Sequence, residues 1–372
     1  MIEVKEIFTK RDKKKFFKFH IDLYKHNIHA APPLYDDEFA EFDPTVNGAY
    51  RFCETKMWIA YKDGKIAGRI AGIWHKGANA KTGLKQLRFT RFDVIDDFDV
   101  TVALFDQLQH WAREIGMTEI IGPMSTSDLA EEGMLIEGFD KDSTYIEIYN
   151  APYYVEHMEK LGAYKKVDWN CYRVAIPDKI DERVEQITKL IMEKEGLSLA
   201  QFSTFKEAKK YIKPALEVLD VAFKDIFGTS PLDEKQMEKQ QGMLESVFNP
   251  DLATVVLHGD KVIGYGFMWP GMCKVLHKAR GSVIPRGLVA YIKAMSHFDT
   301  VELGSIGILP EYKTKGAAAL ILYNGIKGLI KNGVKYAETG PELEDNHNIQ
   351  NLWKSYEREV VKRHRCWGIE VK

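Results

Sequence analysis

The segment Ile306-Gly-Ile-Leu-Pro-Glu-Tyr-Lys-Thr-Lys-Gly-Ala-Ala-Ala-Leu320 connects a predicted strand to a predicted helix. Pro310 ends the strand, and the small residues from Gly316 onward begin the helix. The first turn of a helix leaves backbone N–H groups without partners, and small side chains let a ligand approach them closely. The segment therefore predicts a diphosphate site, to which the two lysines add positive charge. Its residues are Lys313, Thr314, Lys315, Gly316, Ala317 and Ala318.

The elements around this segment predict a mixed sheet flanked by helices. The stretch ATVVLHGDKVIGYGFMWP before it places Gly259-Asp260 between two apolar strands, which is a hairpin pattern. After the hairpin we predict a long strand, a central helix, a short strand, a second helix and a last strand. Their predicted bounds are Thr300 to Leu309, Gly316 to Lys331, Tyr336 to Thr339, Asn348 to Glu359 and Val360 to Val371.

The first half of the chain repeats much of this order. Its hairpin is MWIAYKDGKIAGRIAGIW, with Asp63-Gly64 at the turn. Pro177 and the polar segment after it mark a boundary, which divides the 372 residues into domains 1–177 and 178–372. We thus predict an α/β fold of two tandem domains, each a mostly antiparallel mixed sheet flanked by helices. The other predicted elements of the first half are Ile2 to Phe8, Lys13 to Lys25, Leu87 to Ile95, Val100 to Ile115, Thr118 to Gly122, Pro152 to Leu161 and Lys165 to Ala175.

This order and the quoted segment resemble the GNAT (Gcn5-related N-acetyltransferase) superfamily. The pyrophosphate motif of the superfamily is Arg/Gln-x-x-Gly-x-Gly/Ala, and here Lys313 stands first, Gly316 at the required glycine and Ala318 last. The stretch from Glu344 to Trp367 also resembles a subgroup of bacterial proteins with two GNAT domains in tandem. The resemblance implies an N-acyltransferase that uses acetyl-CoA or another acyl-CoA as its acyl donor.

The corresponding joint of the first half departs from the acyl-CoA pattern. It runs from Phe92 to Asp99, has no glycine and contains four aspartates. A diphosphate would meet both crowding and repulsion there, whereas aspartates before a helix are ordinary caps and dipole partners. We therefore expect acyl-CoA to bind only the second half, so that a photoreactive CoA analogue labels residues after 178.

The resemblance also implies which groups perform acyl transfer. In GNAT proteins, backbone N–H groups of the long strand stabilise the oxyanion, which here implies Gly307 and Ile308. A carboxylate acts as the base, and the candidates are Glu302 and Glu338, each at a predicted strand. The alternative for both glutamates is a merely solvated side chain.

The acid is implied less directly. Trp353 stands where the family pattern has tyrosine, and an indole is not a useful proton donor to a thiolate. Tyr356, one turn further along, is the nearest substitute, with a packing role as its alternative. Asn346, just before the predicted last helix, is included in the predicted acyl-CoA site.

Composition and charge exclude several other classes of protein. Hydrophobic residues make up 45% of the chain and charged residues 28%, as in soluble globular proteins. Lys and Arg number 52 against 54 Asp and Glu, so we expect neither nucleic acid nor a membrane as partner. Because no apolar stretch approaches the ~20 residues of a membrane-spanning helix, we expect a cytoplasmic protein. Four cysteines and eleven histidines without ligand spacing predict reduced thiols and no metal.

Three functions are compatible with these patterns. The first is an acyl-CoA-dependent N-acyltransferase acting on a small amine, with a first half that shapes the substrate site. The second is a Fem-type aminoacyltransferase, which the absence of a long charged helical arm and of a basic surface disfavours. The third is a non-catalytic protein that binds acyl-CoA or a related metabolite. The oligomeric state is left open.

Two further expectations concern local structure. Valine at Gly316 is expected to block CoA with little loss of stability, unless Gly316 has a positive φ or packs against a neighbouring element. The loop from Gly122 to Asp140 is expected to be an exposed acidic loop or a receptor for a cationic amine. The run from Lys362 to Arg365 is expected to line an exposed strand or to neutralise a phosphate.

Overall fold

A computed structural model describes residues 1–127, 130–224, 226–229 and 234–372. Within these ranges, fourteen strands form one sheet, and seven of them come from the first half. The hairpin predicted around Asp63-Gly64 forms as two long antiparallel strands. The first seven strands are β1 (Ile2–Glu6), β2 (Cys53–Lys62), β3 (Lys65–His75), β4 (Gln86–Val94), β5 (Glu119–Gly122), β6 (Met134–Glu137) and β7 (Tyr164–Ala175).

The second half contributes the other seven strands of the described chain. Its predicted hairpin also forms, with Gly259 in the left-handed conformation at the turn. The strands are β8 (Leu197–Leu199), β9 (Ala253–His258), β10 (Lys261–Pro270), β11 (Thr300–Ile308), β12 (Tyr336–Thr339), β13 (Glu342–Leu343) and β14 (Arg358–Glu370).

The two halves exchange their last strands. The order across the sheet is β1-β2-β3-β4-β5-β14-β7-β12-β11-β10-β9-β8, with β6 against β14 and β13 against β7. Thus β14, the last strand of the chain, lies antiparallel to β5 of the first half, and β7 lies antiparallel to β12 of the second half. The two exchanged strands pair with each other along most of their length. The sheet is therefore continuous across the predicted boundary at 177, which itself stays a prediction.

Helices cover both halves of this sheet. In the first half, α4 buries Leu104, Leu108 and Trp111 against the strands, and in the second half α7 and α11 bury Leu216 and Leu320 in the same way. The helices are α1 (Lys10–Leu23), α2 (Tyr35–Glu41), α3 (Lys76–Thr82), α4 (Phe98–Glu114), α5 (Tyr153–Lys160), α6 (Glu182–Glu195), α7 (Phe205–Phe223), α8 (Glu234–Ser246), α9 (Cys273–Ala279), α10 (Leu288–Ser296), α11 (Ala317–Lys331) and α12 (His347–Gln350). None of the helices built from described residues has both the length and the hydropathy that crossing a bilayer requires.

Two local expectations are corrected. The helix predicted from Asn348 to Glu359 is only α12 and a 3₁₀ turn over Asn351–Trp353, because β14 already begins at Arg358. The loop from Gly122 to Asp140 is packed rather than exposed: it contains β6, and its Ser125 and Thr126 hydroxyls both donate to the buried Glu41 carboxylate. Residues 128 and 129 of that loop lie outside the described ranges.

Candidate functional site

A large cavity opens in the second half where β11 and β12 diverge. The two parallel strands pair from Thr300 with Tyr336 to Leu303 with Thr339, and they separate beyond these residues. The cavity has a volume of about 1140 Å³, which is at the upper end of the range for small-molecule sites. Its walls come from α7, α8, α11 and β10 and from the exchanged strand β7, so both halves of the chain enclose it.

The walls of this cavity are mainly apolar. Branched and aromatic side chains from α7 line it, together with side chains from α11 and β11. A cavity with this lining favours an apolar chain over a compact polar ligand, because burial of methylene groups there is favourable. Among its apolar residues are Leu216, Leu219, Phe223, Ile306, Ile321 and Leu322.

The predicted diphosphate loop lies at one end of the cavity. Lys313 and Ala318 line it, and α11 begins at Ala317 without a side-chain cap. The first amides of α11 therefore need partners from outside the helix, as an anion would provide. Thr314 and Lys315 within the loop are exposed. We retain the whole loop as the predicted diphosphate site.

Gly316 in this loop has a structural role that its sequence position did not reveal. Its φ is +78°, and a Cβ placed on it would lie 2.8 Å from Cγ2 of Ile191 on α6. A positive φ and packing against a neighbouring element are the two conditions under which valine is expected to destabilise the domain, and Gly316 meets both. The expectation that Gly316→Val affects CoA binding with little loss of stability is therefore corrected.

We now predict that Gly316→Val lowers the free energy of unfolding by about 2 kcal/mol or more, because a β-branched residue is strained at positive φ. Gly333→Val is the matched control, since Gly333 also has a positive φ of +69° but no atom within 4 Å of its Cβ position. Urea unfolding should show a larger loss for Gly316→Val than for Gly333→Val. Equal losses in the two variants would contradict a contact with Ile191.

Glu342 is a cavity residue that the sequence analysis missed. It is buried at the start of β13, where Trp353 Nε1 donates to its Oε1 at 2.7 Å. Its Oε2 has no hydrogen-bond partner among the described residues. Burial raises the pKa of Glu342 to about 7, although the Trp353 hydrogen bond and the Arg358 charge act in the opposite direction. A carboxylate that titrates near neutral pH and keeps one free oxygen can accept a proton from a bound amine.

The two predicted bases lie elsewhere, in closed hydrogen-bond networks. Glu302 accepts hydrogen bonds from the backbone of Met272 and Tyr145 and from the indole of Trp269, at 2.6 to 2.8 Å. Burial raises the pKa of Glu302 to about 7, but both of its oxygens are occupied. Glu338 is paired with Arg173 through two hydrogen bonds. Neither glutamate is among the described residues that line the cavity.

The remaining predicted site residues divide between the cavity and its surroundings. Tyr356, Asn346 and Ile308 line the cavity, whereas Gly307 does not, and a Cβ placed on Gly307 would lie 2.5 Å from Cε1 of Tyr265. Burial raises the pKa of Tyr356, so its phenol stays protonated at neutral pH. Asn346 precedes α12, and its side chain makes no capping hydrogen bond. The structure thus brings Tyr356 and Asn346 to the same cavity as Lys313 and Ala318.

The equivalent space in the first half is closed by the chain itself. The amide of Met124 donates to the carbonyl oxygen of Phe89 at 2.8 Å, across the gap where β4 and β5 diverge. The fully buried Tyr154 of α5 packs against Phe92, and its hydroxyl accepts from the amide of Val94 at 2.8 Å. Asp93, one of the four aspartates, forms a buried pair with Arg69. These contacts support the prediction that acyl-CoA does not bind the first half.

A buried ionic cluster joins the exchanged strands. The ammonium of Lys362 on β14 lies 2.7 Å from Glu147, and the thiol of Cys171 on β7 donates to the same carboxylate at 2.9 Å. Ligand atoms of Glu147, Cys171 and His364 lie within 4.8 Å of one another, but Lys362 already supplies the charge that a cation would bring. Lys362 and His364 are both buried, which corrects the expectation of an exposed 362–365 run. All four cysteines of the chain are unpaired and buried.

Comparison with known proteins agrees with this architecture. No family model matches the chain. Protein YghO of Escherichia coli (strain K12) is 23% identical over 375 residues, which cover 99% of this chain and 95% of that protein. A bacterial ceramide synthase of Caulobacter vibrioides (strain NA1000 / CB15N) is 22% identical over 280 residues, which cover 75% of this chain and 72% of that protein.

One solved structure defines the fold. A tandem GNAT protein from the clavulanic acid biosynthesis pathway aligns with 100% of this chain and 99% of its own, with a TM-score of 0.57 and 12% sequence identity. This chain therefore has the tandem GNAT fold. The predicted resemblance and the predicted α/β class are confirmed.

Proposed function

We propose that this protein is an acyl-CoA-dependent N-acyltransferase whose reaction takes place in the second half. The observation that carries the proposal is the joint position of a free carboxylate and the predicted diphosphate loop. Glu342, with its unpartnered oxygen, lines the same cavity as Lys313 and Ala318 of the predicted diphosphate loop. A carboxylate base and a phosphate cradle on one cavity are what thioester aminolysis needs.

The fold orients acyl-CoA along β11 in this proposal. The diphosphate lies at the N-terminus of α11, and the pantetheine follows the part of β11 from Gly304 to Ile308 that β12 leaves unpaired. The thioester then reaches the region of Glu342 and Tyr356, and the acyl chain extends into the apolar part of the cavity. Gly307 and Ile308 remain the predicted source of N–H groups for the oxyanion.

Each proposed catalytic group has one step in the reaction. The nitrogen of the acceptor amine attacks the thioester carbonyl carbon, and Glu342 accepts the proton that this nitrogen loses. The tetrahedral oxyanion collapses, the C–S bond breaks, and the CoA thiolate takes a proton from the phenol of Tyr356. The products are an amide and CoA–SH, and Tyr356 regains its proton from solvent or from protonated Glu342.

The acyl chain is proposed to be long and apolar. An acetyl group would leave most of the 1140 Å³ cavity unfilled, whereas a long chain would contact the apolar side chains that line it. The Caulobacter relative supports this choice, since it is named a ceramide synthase and a ceramide is a long-chain amide. The acceptor is an amine.

Gly325 on α11 provides a test of chain length, because it lines the cavity and its Cβ position is 3.3 Å from Cε of Met268. We predict that Gly325→Phe lowers kcat/KM for palmitoyl-CoA by about tenfold or more relative to acetyl-CoA. Gly325→Ala is the matched control, since it adds one methyl group at a helical position that favours alanine. Thiol release from each thioester, with pooled amines as acceptors, measures both rates.

The result would contradict the proposed chain if wild type used acetyl-CoA as well as palmitoyl-CoA and Gly325→Phe changed both equally. Calorimetry with the same thioesters separates a further alternative. Tight binding of palmitoyl-CoA without turnover of any pooled amine would favour a non-catalytic acyl-CoA-binding protein.

A further inference from the structure

The helix α10 has an unusual position for its composition. Its sequence, LVAYIKAMS, is largely apolar, yet none of its nine residues is buried. Val289 is 79% exposed, Ile292 57% and Leu288 38%, and Ile284 in the segment just before the helix is 70% exposed. These four side chains form an apolar surface that no described part of the chain covers. Soluble proteins seldom leave such a cluster exposed without a use for it.

Basic residues accompany this apolar surface in the sequence. The chain contains no Asp or Glu between Asp260 and Asp299. Five exposed basic residues lie in that interval on α9, on α10 and in the connection between them, and none forms an ion pair with a described carboxylate. They are Lys274, Lys278, Arg280, Arg286 and Lys293.

We propose that α10, residues 284–287 and these five cations form a docking surface for an anionic membrane. Apolar side chains that enter the headgroup region and basic residues that meet anionic lipids are the two components of interfacial membrane binding. The near-equal numbers of basic and acidic residues in the whole chain predict no membrane partner. A whole-chain balance does not reveal a local cluster of positive charge such as this one. The inference concerns a surface outside the cavity and does not depend on the proposed reaction.

A second copy of the chain is a poorer occupant of this surface. Two copies would bring five cations against five cations, and like charges at an interface are unfavourable. The exposed stripe on α6 provides a contrast within the same protein. Ile187 and Leu190 on α6 are also exposed, but Glu185 and Glu193 flank them. The stretch around α10, from 261 to 298, has basic residues and no acidic one.

The surface adjoins the wall of the cavity. The hydroxyl of Tyr291 on α10 donates to the carbonyl oxygen of Ser246, the last residue of α8. Met243, one turn earlier on α8, lines the cavity and also packs in the cluster of side chains between α8, α9 and α10. A membrane bound at α10 would therefore lie beside one wall of the cavity, where an amphiphilic substrate could be exchanged with the bilayer.

Vesicle flotation tests the inference. The probes are large unilamellar vesicles of phosphatidylcholine alone and of phosphatidylcholine with phosphatidylglycerol, at low and high salt. We expect binding only to the anionic vesicles, weakened by salt. Val289→Asp/Ile292→Asp should lower the partition coefficient by about tenfold or more, and Lys274→Glu/Lys278→Glu/Lys293→Glu by about a hundredfold.

Ile187→Asp/Leu190→Asp on α6 is the matched control and should bind as wild type does. All the substituted residues are exposed, so circular dichroism and thermal unfolding should match wild type. The inference is overturned if wild type does not bind anionic vesicles, or if both α10 variants bind them normally. It is equally overturned if sedimentation shows a dimer that Val289→Asp/Ile292→Asp dissociates, which would assign the surface to a second copy. None of these outcomes bears on thiol release from soluble acyl-CoA, so the proposed reaction is tested separately.

Discussion

Glu342→Gln is expected to lower kcat by about a hundredfold or more while acyl-CoA still binds. The amide keeps the shape of the side chain and can accept the hydrogen bond from Trp353, but it cannot take a proton from the amine. Stopped assays of thiol release and calorimetry with the same thioester measure the two quantities. Glu344→Gln is the matched control, because Glu344 lies two residues away in a partly exposed ion pair with Lys165.

The pH dependence gives this prediction a second readout. The pKa of Glu342 is raised to about 7, and a base is active only when deprotonated, so wild-type kcat/KM should fall as the pH decreases below about 7. Trp353→Phe removes a hydrogen bond that stabilises the carboxylate and should move this fall to higher pH. If Glu302→Gln abolished turnover in a folded protein while Glu342→Gln did not, the assignment of Glu342 as the base would be wrong.

Lys362→Met is expected to lower the free energy of unfolding by about 3–5 kcal/mol, because it leaves the buried carboxylate of Glu147 without its counter-charge. Burial raises the pKa of Glu147, but the charges of Lys362 and His364 and the hydrogen bonds from Cys171 and Lys362 together outweigh burial and lower this pKa to about 2. Without Lys362 the folded-state pKa of Glu147 should lie above its unfolded value. The loss of stability should then be larger at pH 8 than at pH 5, since protonation of Glu147 relieves it.

Two controls separate this effect from general damage to β14. Arg363→Met changes the adjacent residue, whose partly exposed pair with Glu137 should contribute about 0–1 kcal/mol. Lys362→Met/Glu147→Gln removes both charges and should recover part of the lost stability. Urea unfolding at the two pH values measures all three variants. A Lys362→Met protein as stable as Arg363→Met would show that the cluster does not hold the exchanged strands together.

Local patterns were sufficient to predict most elements and the fold class. Gly259-Asp260 between two apolar runs predicts the β9–β10 hairpin because the turn and both strands are adjacent in sequence. The exchange of β7 and β14 was not predictable in this way. The apolar pattern of Val360 to Val371 indicates a strand but carries no information about which half supplies its neighbours.

The candidate site was predicted only in part, because the position of one of its residues depends on pairing with an exchanged strand. Lys313, Ala318, Asn346 and Tyr356 were found through a motif and its surroundings, and all four line the cavity. Glu342 follows Gly340-Pro341 outside any motif, and it lines the cavity in β13, which pairs with the exchanged strand β7. A signal did exist for the burial of Lys362 and His364, since both alternate with Cys366 on one face of β14.

The most direct test of the proposed function is a crystal structure with the non-hydrolysable thioether hexadecyl-CoA. The proposal predicts the diphosphate at the N-terminus of α11 beside Lys313, the pantetheine along Gly304 to Ile308, and the alkyl chain in the apolar part of the cavity. The sulfur should lie near the free oxygen of Glu342. A diphosphate bound in the first half, or an alkyl chain outside the cavity with the cavity still empty, would contradict it.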